Sequence, residues 1–150
     1  MKNAIIAQAI RMLETSVYEN CVVSDPIKTP EAIMDLLRLR LANKKVEEIG
    51  VVFLNQANKV ISITKLEEGI ENRAHVYVKK LFKLAFDKHA TGMILYHNHP
   101  TGRVDFSPQD ITLTKQVMTA GDILEIRLLD HILVAHSQGV SMRETIGMPS

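Results

Sequence analysis

Hydrophobic residues recur along the chain at two spacings, one typical of helices and one typical of strands. Helical spacing predicts helices over residues 3–15, 30–41, 76–90 and 107–120. Strand-like patterns lie between them, at EEIGVVFL (47–54), VISITKL (60–66), MILYHNH (93–99), ILEIRLL (123–129), HILVAH (131–136) and GVSM (139–142). This order predicts an α/β (α+β) fold, in which a mixed and mainly antiparallel sheet is flanked by helices.

Capping and turn residues predict where these elements begin and end. Residues 29–31, TPE, form a typical helix start, with the Thr29 hydroxyl as the cap and a proline at the first helical position. The segment QANK predicts a hairpin turn between the first two strands. Gly92 is expected to cap the third helix, and Gly121 is expected to follow the helix that Ser107 opens.

The composition is that of an ordinary globular domain. The 150 residues are 46% hydrophobic and 23% charged, and the net charge of +1 provides no overall attraction for nucleic acid. Cys21 is the only cysteine, which excludes an intramolecular disulfide and favours a reducing, cytoplasmic location. No signal peptide and no run of about 20 apolar residues is recognisable, so no membrane association is expected.

His97 and His99 are the strongest candidates for chemistry. Residues two apart on a strand project to the same side, so the two imidazoles are expected to lie together while Asn98 points away. The proline and glycine of residues 100–102 allow the chain to turn back, which would bring Asp110, at the next helix start, over the histidines. Two imidazole nitrogens and one carboxylate oxygen suit zinc and leave a fourth position open, which is the catalytic pattern.

Each of these residues also has a simpler interpretation. Ser107 and Asp110 fit a helix-capping signature, with a serine cap and an acid three residues later. A single histidine at a strand end is more often a satisfied polar residue than a ligand. The combination favours a site, because capping and ligation are compatible at one helix start. The adjacent letters H-N-H do not indicate an HNH nuclease, whose named residues are spread over a hairpin and a helix.

The full motif resembles that of a known superfamily. His97-x-His99, seven residues, Ser107, two residues and Asp110 together are similar to the JAMM motif of JAB/MPN metalloprotease domains. The string HNHPTG and the downstream LLDHILV at residues 128–134 resemble the RadC-type branch of that superfamily.

This resemblance covers roughly residues 25–145 and implies a fold for most of the chain. The implied fold is the JAB/MPN-like, cytidine deaminase-like three-layer fold, for a domain at residues 26–150 preceded by a short N-terminal helical segment at 1–25. Two features depart from the family. The usual Gly-Thr and Pro-Arg-Glu stretch is absent from residues 67–82, and no helix-hairpin-helix element precedes the domain, which weakens the argument for DNA contact.

The resemblance also implies a mechanism. A zinc ion would be bound by three ligands: His97, His99 and Asp110. Glu47 would act as general base toward the metal-activated water. Ser107 would donate a hydrogen bond to the oxyanion that forms during hydrolysis of an amide or isopeptide bond. Glu48, beside Glu47, is expected to point to the opposite face as a solvated acid at the strand edge.

The remaining polar candidates have weaker assignments. Asp130 and His131 either orient a metal ligand or form a satisfied pair at the start of a strand. Three histidines have no partners in a recognisable pattern and are predicted to be surface residues: His75, His89 and His136. Cys21 lacks the surroundings of a catalytic nucleophile.

The favoured function is therefore a zinc-dependent metallohydrolase, a metalloprotease or isopeptidase that acts on a peptide or protein substrate. One alternative is a nucleic-acid-associated module of the DNA-repair type, with a structural or vestigial metal site. Another is a non-catalytic interaction scaffold, which is disfavoured because every predicted metal ligand is present. The sequence specifies neither the substrate nor the oligomeric state.

Overall fold

A computed structural model describes residues 4–6, 8, 26–68 and 74–150 of the chain. In that part, the protein forms one five-stranded sheet with helices packed on both faces. Residues 4–6 and 8 are helical, in agreement with the helix predicted near the N-terminus, whose other residues lie outside the described part. The proposed division of the chain at residue 25 stays a prediction.

Helices and strands alternate along most of the chain. In order they are α1 (Glu31–Leu41), β1 (Glu48–Leu54), β2 (Val60–Glu68), α2 (Ala74–Asp87), β3 (Gly92–Asn98), α3 (Pro108–Leu124), β4 (Arg127–Ala135), β5 (Gln138–Ser141) and α4 (Met142–Thr145). None of the helices within the described ranges is both long and apolar enough to cross a membrane.

The strands are arranged in the order β2-β1-β3-β4-β5. Every neighbouring pair is antiparallel except β3 and β4, which run parallel and are connected through α3. A parallel pair needs such a crossover, because the chain must return to the same end of the sheet. The predicted mixed, mainly antiparallel sheet is confirmed.

The central strands are apolar on both faces because helices cover both. Val51 and Leu95 belong to the core that α2 and α3 close, whereas Val52 and Ile94 belong to the core that α1 closes. This alternation follows from the two-residue period of a strand. It produces three layers, with helices on either side of the sheet, as the resemblance implied.

The sheet topology determines which polar residues meet at its end. Because β1 and β3 are antiparallel, the start of β1 lies beside the end of β3, and Ile49 pairs with His97. Residue 47 therefore lies close to the segment that leaves β3. In the parallel pair of β3 and β4, His131 is in register with Leu95. Leu95 lies two residues before His97, on the same face of β3.

The start of α1 differs from the prediction. The helix begins at Glu31 with Pro30 at the cap position, and no side chain caps it. The carbonyl of Thr29, rather than its hydroxyl, accepts the N–H of Ala32 at 3.2 Å. The predicted Thr29 cap is wrong, because this first turn is closed by main-chain carbonyls.

The end of α2 also differs. His89 adopts the left-handed conformation with a φ of 55°, and the N–H of Ala90 then bonds the carbonyl of Ala85 at 2.9 Å. This bond closes the last turn in the manner usual for a left-handed residue at a helix end. Gly92, which was expected to be the cap, instead begins β3.

Gly121 does not end α3. The helix continues to Leu124, and Glu125, with a φ of 60°, takes the left-handed position that stops it. A Cβ on Gly121 would lie 2.3 Å from the carbonyl oxygen of Ile126. The glycine is therefore required for the close approach of the departing chain.

The segments at 123–129 and 131–136 are not two strands. Residues 123 and 124 complete α3, residues 125 and 126 lead away from it, and Arg127–Ala135 form the single strand β4. Asp130 does not interrupt this strand, although it is buried, because its Oδ2 accepts the Ser141 hydroxyl at 2.5 Å and its Oδ1 accepts the N–H of His131 at 2.8 Å. A satisfied carboxylate is tolerated inside a strand.

Candidate metal centre

Four side chains converge where β1 begins and β3 ends. One potential ligand atom from each of Glu47, His97, His99 and Asp110 lies within 4.8 Å of the others. Glu47 precedes β1, His97 belongs to β3, His99 follows that strand, and Asp110 lies in the first turn of α3. The structure thus brings together the residues that the motif and the resemblance singled out.

Three of these atoms form a compact triangle. His97 Nε2 lies 3.0 Å from His99 Nε2, and Asp110 Oδ2 lies 3.2 Å from the first nitrogen and 3.3 Å from the second. Ligands at the usual distance from a tetrahedral zinc ion are about 3.3 Å apart. The triangle therefore has the size that one such ion requires, and a carboxylate oxygen of Glu47 lies within 4.8 Å of its atoms.

A main-chain carbonyl orients the ring of His99. Its Nδ1 lies 3.1 Å from the carbonyl oxygen of Arg103, which can only accept, so a neutral His99 carries its proton on Nδ1. Its Nε2 lone pair is then directed toward Asp110. The hydrogen bond to Asp110 raises the pKa of His99, and burial opposes this effect less strongly. In the absence of a cation, a proton therefore competes for this position.

The turn after β3 holds that carbonyl in place. The N–H of Gly102 bonds the carbonyl of His99 at 3.0 Å, and Gly102 has a φ of 81°, which an L side chain adopts only with strain. A Cβ at this position would also lie 2.3 Å from Nε2 of His136. The predicted turn at the proline and glycine is present, and it delivers Arg103 to the His99 ring.

His97 is supported by a second buried histidine. Its Nδ1 lies 2.7 Å from Nε2 of His131, and Phe106 packs against both rings, with centroid distances of 6.2 and 5.5 Å. Complete burial lowers the pKa of His131 well below its ordinary value. Of the two residues whose role the sequence left open, His131 contacts a candidate ligand, whereas Asp130 ties β4 to β5 through Ser141.

Ser107 and Asp110 form a reciprocal capping box at the start of α3. The Ser107 Oγ accepts the Asp110 N–H at 3.1 Å, and the Asp110 Oδ2 accepts the Ser107 N–H at 2.7 Å. Burial by itself raises the pKa of Asp110, but the neighbouring imidazoles of His97 and His99 and the N–H of Ser107 outweigh it and hold that pKa well below its ordinary value. Capping and a ligand position coexist in one carboxylate, since Oδ2 faces both the helix start and the histidines.

Glu47 and Glu48 point to opposite faces of the sheet. Glu47 joins the histidine group, whereas the Glu48 carboxylate accepts the Tyr96 hydroxyl at 3.0 Å and pairs with Arg40 at 3.2 Å and Lys44 at 2.9 Å. Burial raises the pKa of Glu48, but these cations and the hydroxyl together lower it below 4.5.

The expectation that Glu48 is a solvated acid at the strand edge is wrong, because its side chain is 1% exposed. The helix α1 and the segment after it cover that face and supply the two cations. The paired charges are what make this burial tolerable.

Several supporting residues were not found from the sequence. Asn98, recognised only as pointing away from the histidines, bonds the chain on both sides of Glu47 through its side-chain amide. Thr114 contacts His131 at 2.6 Å, and its position one helical turn after Asp110 was the only available signal. His89 and His136 are exposed, as predicted, while Cys21 and the side chain of His75 lie outside the described part.

Comparison with known proteins identifies relatives over most of the chain. The family described as RadC-like JAB domain matches residues 27–148. Three similar curated proteins each carry the name UPF0758 protein. The one from Thiobacillus denitrificans is 34% identical over 143 residues, which is 95% of this chain and 64% of that protein. The one from Caldanaerobacter subterraneus is 36% identical over 118 residues, 79% of this chain and 51% of that protein.

A third relative, from Neisseria meningitidis serogroup B, is 33% identical over 139 residues, which is 93% of this chain and 60% of that protein. The chain therefore spans between about half and two thirds of the length of these relatives.

Proposed function

This chain belongs to the RadC-like JAB domain family, and from that premise we propose that it is a zinc-dependent metallohydrolase of the metalloprotease or isopeptidase type. The observation that carries the proposal is the triangle of His97 Nε2, His99 Nε2 and Asp110 Oδ2, with edges of 3.0, 3.2 and 3.3 Å. Two neutral nitrogens and one carboxylate oxygen are the donor set of catalytic zinc sites, in which a fourth position stays open.

The donor set also argues for a cation on electrostatic grounds. The Nδ1 proton of His99 is directed to a carbonyl, so lone pairs of His99 and Asp110 face each other across 3.3 Å. Lone pairs at that distance repel unless a proton or a metal ion lies between them. The Asp110 Oδ2 also accepts the Ser107 N–H at 2.7 Å at the start of a helix, which favours the anionic form that a metal ligand needs.

A divalent cation bound here would supply Lewis-acid chemistry, lowering the pKa of a water to about 7 and polarising a substrate carbonyl. Glu47 would accept the proton of the attacking water, and its carboxylate oxygen within 4.8 Å of the other three ligand atoms supports this role. The same carboxylic acid would then return that proton to the leaving amine.

Ser107 would stabilise the negative charge that develops on the substrate oxygen. Its Oγ accepts the Asp110 N–H, so the hydroxyl keeps its own hydrogen to donate. Removing a donor of this kind typically lowers the rate by about 10²–10³-fold. The substrate would carry an amide or isopeptide bond.

Metal analysis of matched variants tests the proposal. Asp110→Ala is expected to abolish zinc retention, whereas Glu47→Gln is expected to retain zinc and lose turnover of peptide or protein-conjugate substrates. Asp105→Ala is the matched control, because it removes an exposed carboxylate from the preceding loop.

Wild-type protein that retains no metal after loading, or Glu47→Gln protein with undiminished turnover, would overturn the proposal. Salt-dependent binding to nucleic acid by wild-type protein that hydrolyses no substrate would instead favour the nucleic-acid-associated alternative.

A further inference from the structure

A chain of three buried hydrogen bonds leads away from the metal centre. His97 Nδ1 lies 2.7 Å from His131 Nε2, His131 Nδ1 lies 2.6 Å from Thr114 Oγ1, and Thr114 Oγ1 lies 2.7 Å from the carbonyl oxygen of Asp110. His131 and Thr114 are both 0% exposed. The chain starts at one candidate ligand and ends on the backbone of another.

The direction of each hydrogen bond follows from counting protons. A carbonyl oxygen has no proton, so the single hydroxyl proton of Thr114 is donated to Asp110. The hydroxyl oxygen must then accept a hydrogen bond from His131, so that ring carries a proton on Nδ1. A threonine that bonds the carbonyl four residues earlier is a familiar arrangement in helices.

The tautomer of His131 in turn determines the tautomer of His97. A neutral His131 with its proton on Nδ1 has a lone pair on Nε2, so it accepts a hydrogen bond from the Nδ1–H of His97. His97 then has a bare Nε2, the atom that faces His99 and Asp110. The opposite direction would place the His97 proton on Nε2 and block that atom as a ligand.

We propose that Thr114 and His131 are positioning residues that fix the ring tautomer of His97, so that its Nε2 lone pair is presented to the metal. The consequence for metal binding rests on the proposed function, whereas the tautomers are properties of the metal-free protein. His99 needs no such chain, because the Arg103 carbonyl accepts the hydrogen bond from its Nδ1 directly and so leaves Nε2 as the free nitrogen.

The chain also couples two ligands that come from different elements. His97 lies on β3 and Asp110 on α3, and His131 of β4 fills the space between the strand and the helix. A displacement of α3 along its axis would break the contact between Thr114 and His131 and would move Asp110 away from the histidines at the same time. Orientation of ligands by outer hydrogen bonds typically accounts for about 10–100-fold in metal affinity.

The test compares Thr114→Val with Thr114→Ser. Valine has nearly the same shape but no hydroxyl, so it leaves His131 Nδ1 without an acceptor, and the His131 proton is expected to move to Nε2. Zinc affinity should fall by about 10–100-fold. Serine keeps the hydroxyl and is expected to restore the affinity to within a few-fold of wild type. Simple loss of packing would affect the serine variant, which lacks the methyl group, at least as much.

Nitrogen-15 spectra of the imidazoles in metal-free wild-type protein provide a readout that does not depend on activity. The expected result is the Nδ1–H form for both His97 and His131. An Nε2–H form for His131 overturns the inference, even if Thr114→Val fails to fold. So does a Thr114→Val protein with wild-type affinity for zinc.

The two proposals can fail separately. A wild-type protein that binds no zinc but has both predicted tautomers would refute the metallohydrolase and leave the assignment of proton positions intact. A zinc-binding, active protein with the wrong His131 tautomer would refute only the role of Thr114 and His131.

Discussion

The side chain of Asn98 holds the backbone on both sides of Glu47. Its Oδ1 accepts the N–H of Glu48 at 2.6 Å, and its Nδ2 donates to the carbonyl of Val46 at 3.0 Å. Asn98 is the last residue of β3, so this amide extends the pairing between β1 and β3 past the point where the main-chain ladder ends. The proposed base is therefore attached to the strand that carries the histidines.

We expect Asn98→Ala to lower kcat while leaving zinc affinity close to that of the wild type. The substitution frees residue 47 but touches none of the three ligands, and a shift of about 1 Å in a reacting group can lower a rate about 10²-fold. Steady-state kinetics and metal titration check this.

Asn55→Ala is a matched control for that substitution. Like Asn98, Asn55 makes two side-chain hydrogen bonds to the main chain, but in the turn between β1 and β2. Its Oδ1 accepts the N–H groups of Ala57 at 2.9 Å and Lys59 at 3.0 Å. It should reduce stability without changing kcat. Equal kinetics for the two variants would contradict the positioning role of Asn98.

Glu48 is expected to stabilise the fold and to contribute nothing to chemistry. Glu48→Gln leaves the Arg40 and Lys44 cations without their anion, and breaking a buried pair typically costs about 3 kcal/mol or more; here we expect the lower end, since both cations are partly exposed. Chemical denaturation should show this loss at neutral pH, with zinc binding retained. Loss of zinc with normal stability would contradict the structural role.

The same residue predicts a dependence of stability on acid. The folded pKa of Glu48 lies below its ordinary value of 4.5, so its contribution is present above that pH and is lost as the pH falls through the folded value. The free energy of unfolding of wild-type protein should therefore decrease below pH 4.5 more steeply than that of Glu48→Gln. Denaturation curves at a series of acid pH values measure the difference.

Metal-free and zinc-loaded protein should respond to pH in opposite directions. The folded pKa of His99 is raised above 6.5, so protonation stabilises the metal-free fold below pH 6.5, and this contribution is lost as the pH rises through the folded value. Zinc requires the neutral ring, so its affinity should rise over that range. Melting temperatures at pH 6 and pH 8 test this: from pH 6 to pH 8, that of chelator-treated protein should fall and that of zinc-loaded protein should rise.

Gly102→Ala is expected to weaken zinc binding through the backbone. A left-handed conformation at a residue other than glycine typically costs about 1–2 kcal/mol, and any relaxation of Gly102 moves the Arg103 carbonyl away from His99. Adding His136→Ala removes the steric contact but not the backbone strain, so the double variant should recover only part of the affinity. Full recovery would show that the contact alone was responsible.

The pattern of the sequence was sufficient for most helices and strands and for the convergence of the histidines with Asp110, although it divided β4 in two and missed α4. Period-two and helical spacing depend on local burial, and the motif spacing encodes a strand, a turn and a helix start. Glu47 came from the resemblance, because no local pattern distinguishes it from Glu48. The cations that pair with Glu48 are Arg40, in α1, and Lys44, in the segment after it. Their contacts depend on how the chain turns from α1 into β1, and such a turn leaves no periodic signal.

Helix ends were predicted less well than helices. Glycine was expected to end α2 and α3, but His89 and Glu125 take the left-handed positions. The glycines at 92 and 121 serve other needs, a strand start and a close approach of two backbones. Composition alone does not distinguish these uses, since glycine is compatible with a helix end, a strand start and a close backbone approach alike.

The ligand triangle and its hydrogen-bonded support all lie between residues 92 and 135, in the continuous unit β3-α3-β4, whereas Glu47 arrives from a separate part of the chain. The residues proposed to bind the ion and the residue proposed to move the proton thus lie on separate segments, so a substitution can affect one without the other. A descendant could lose the second through changes near β1 and persist as a metal-carrying protein without turnover.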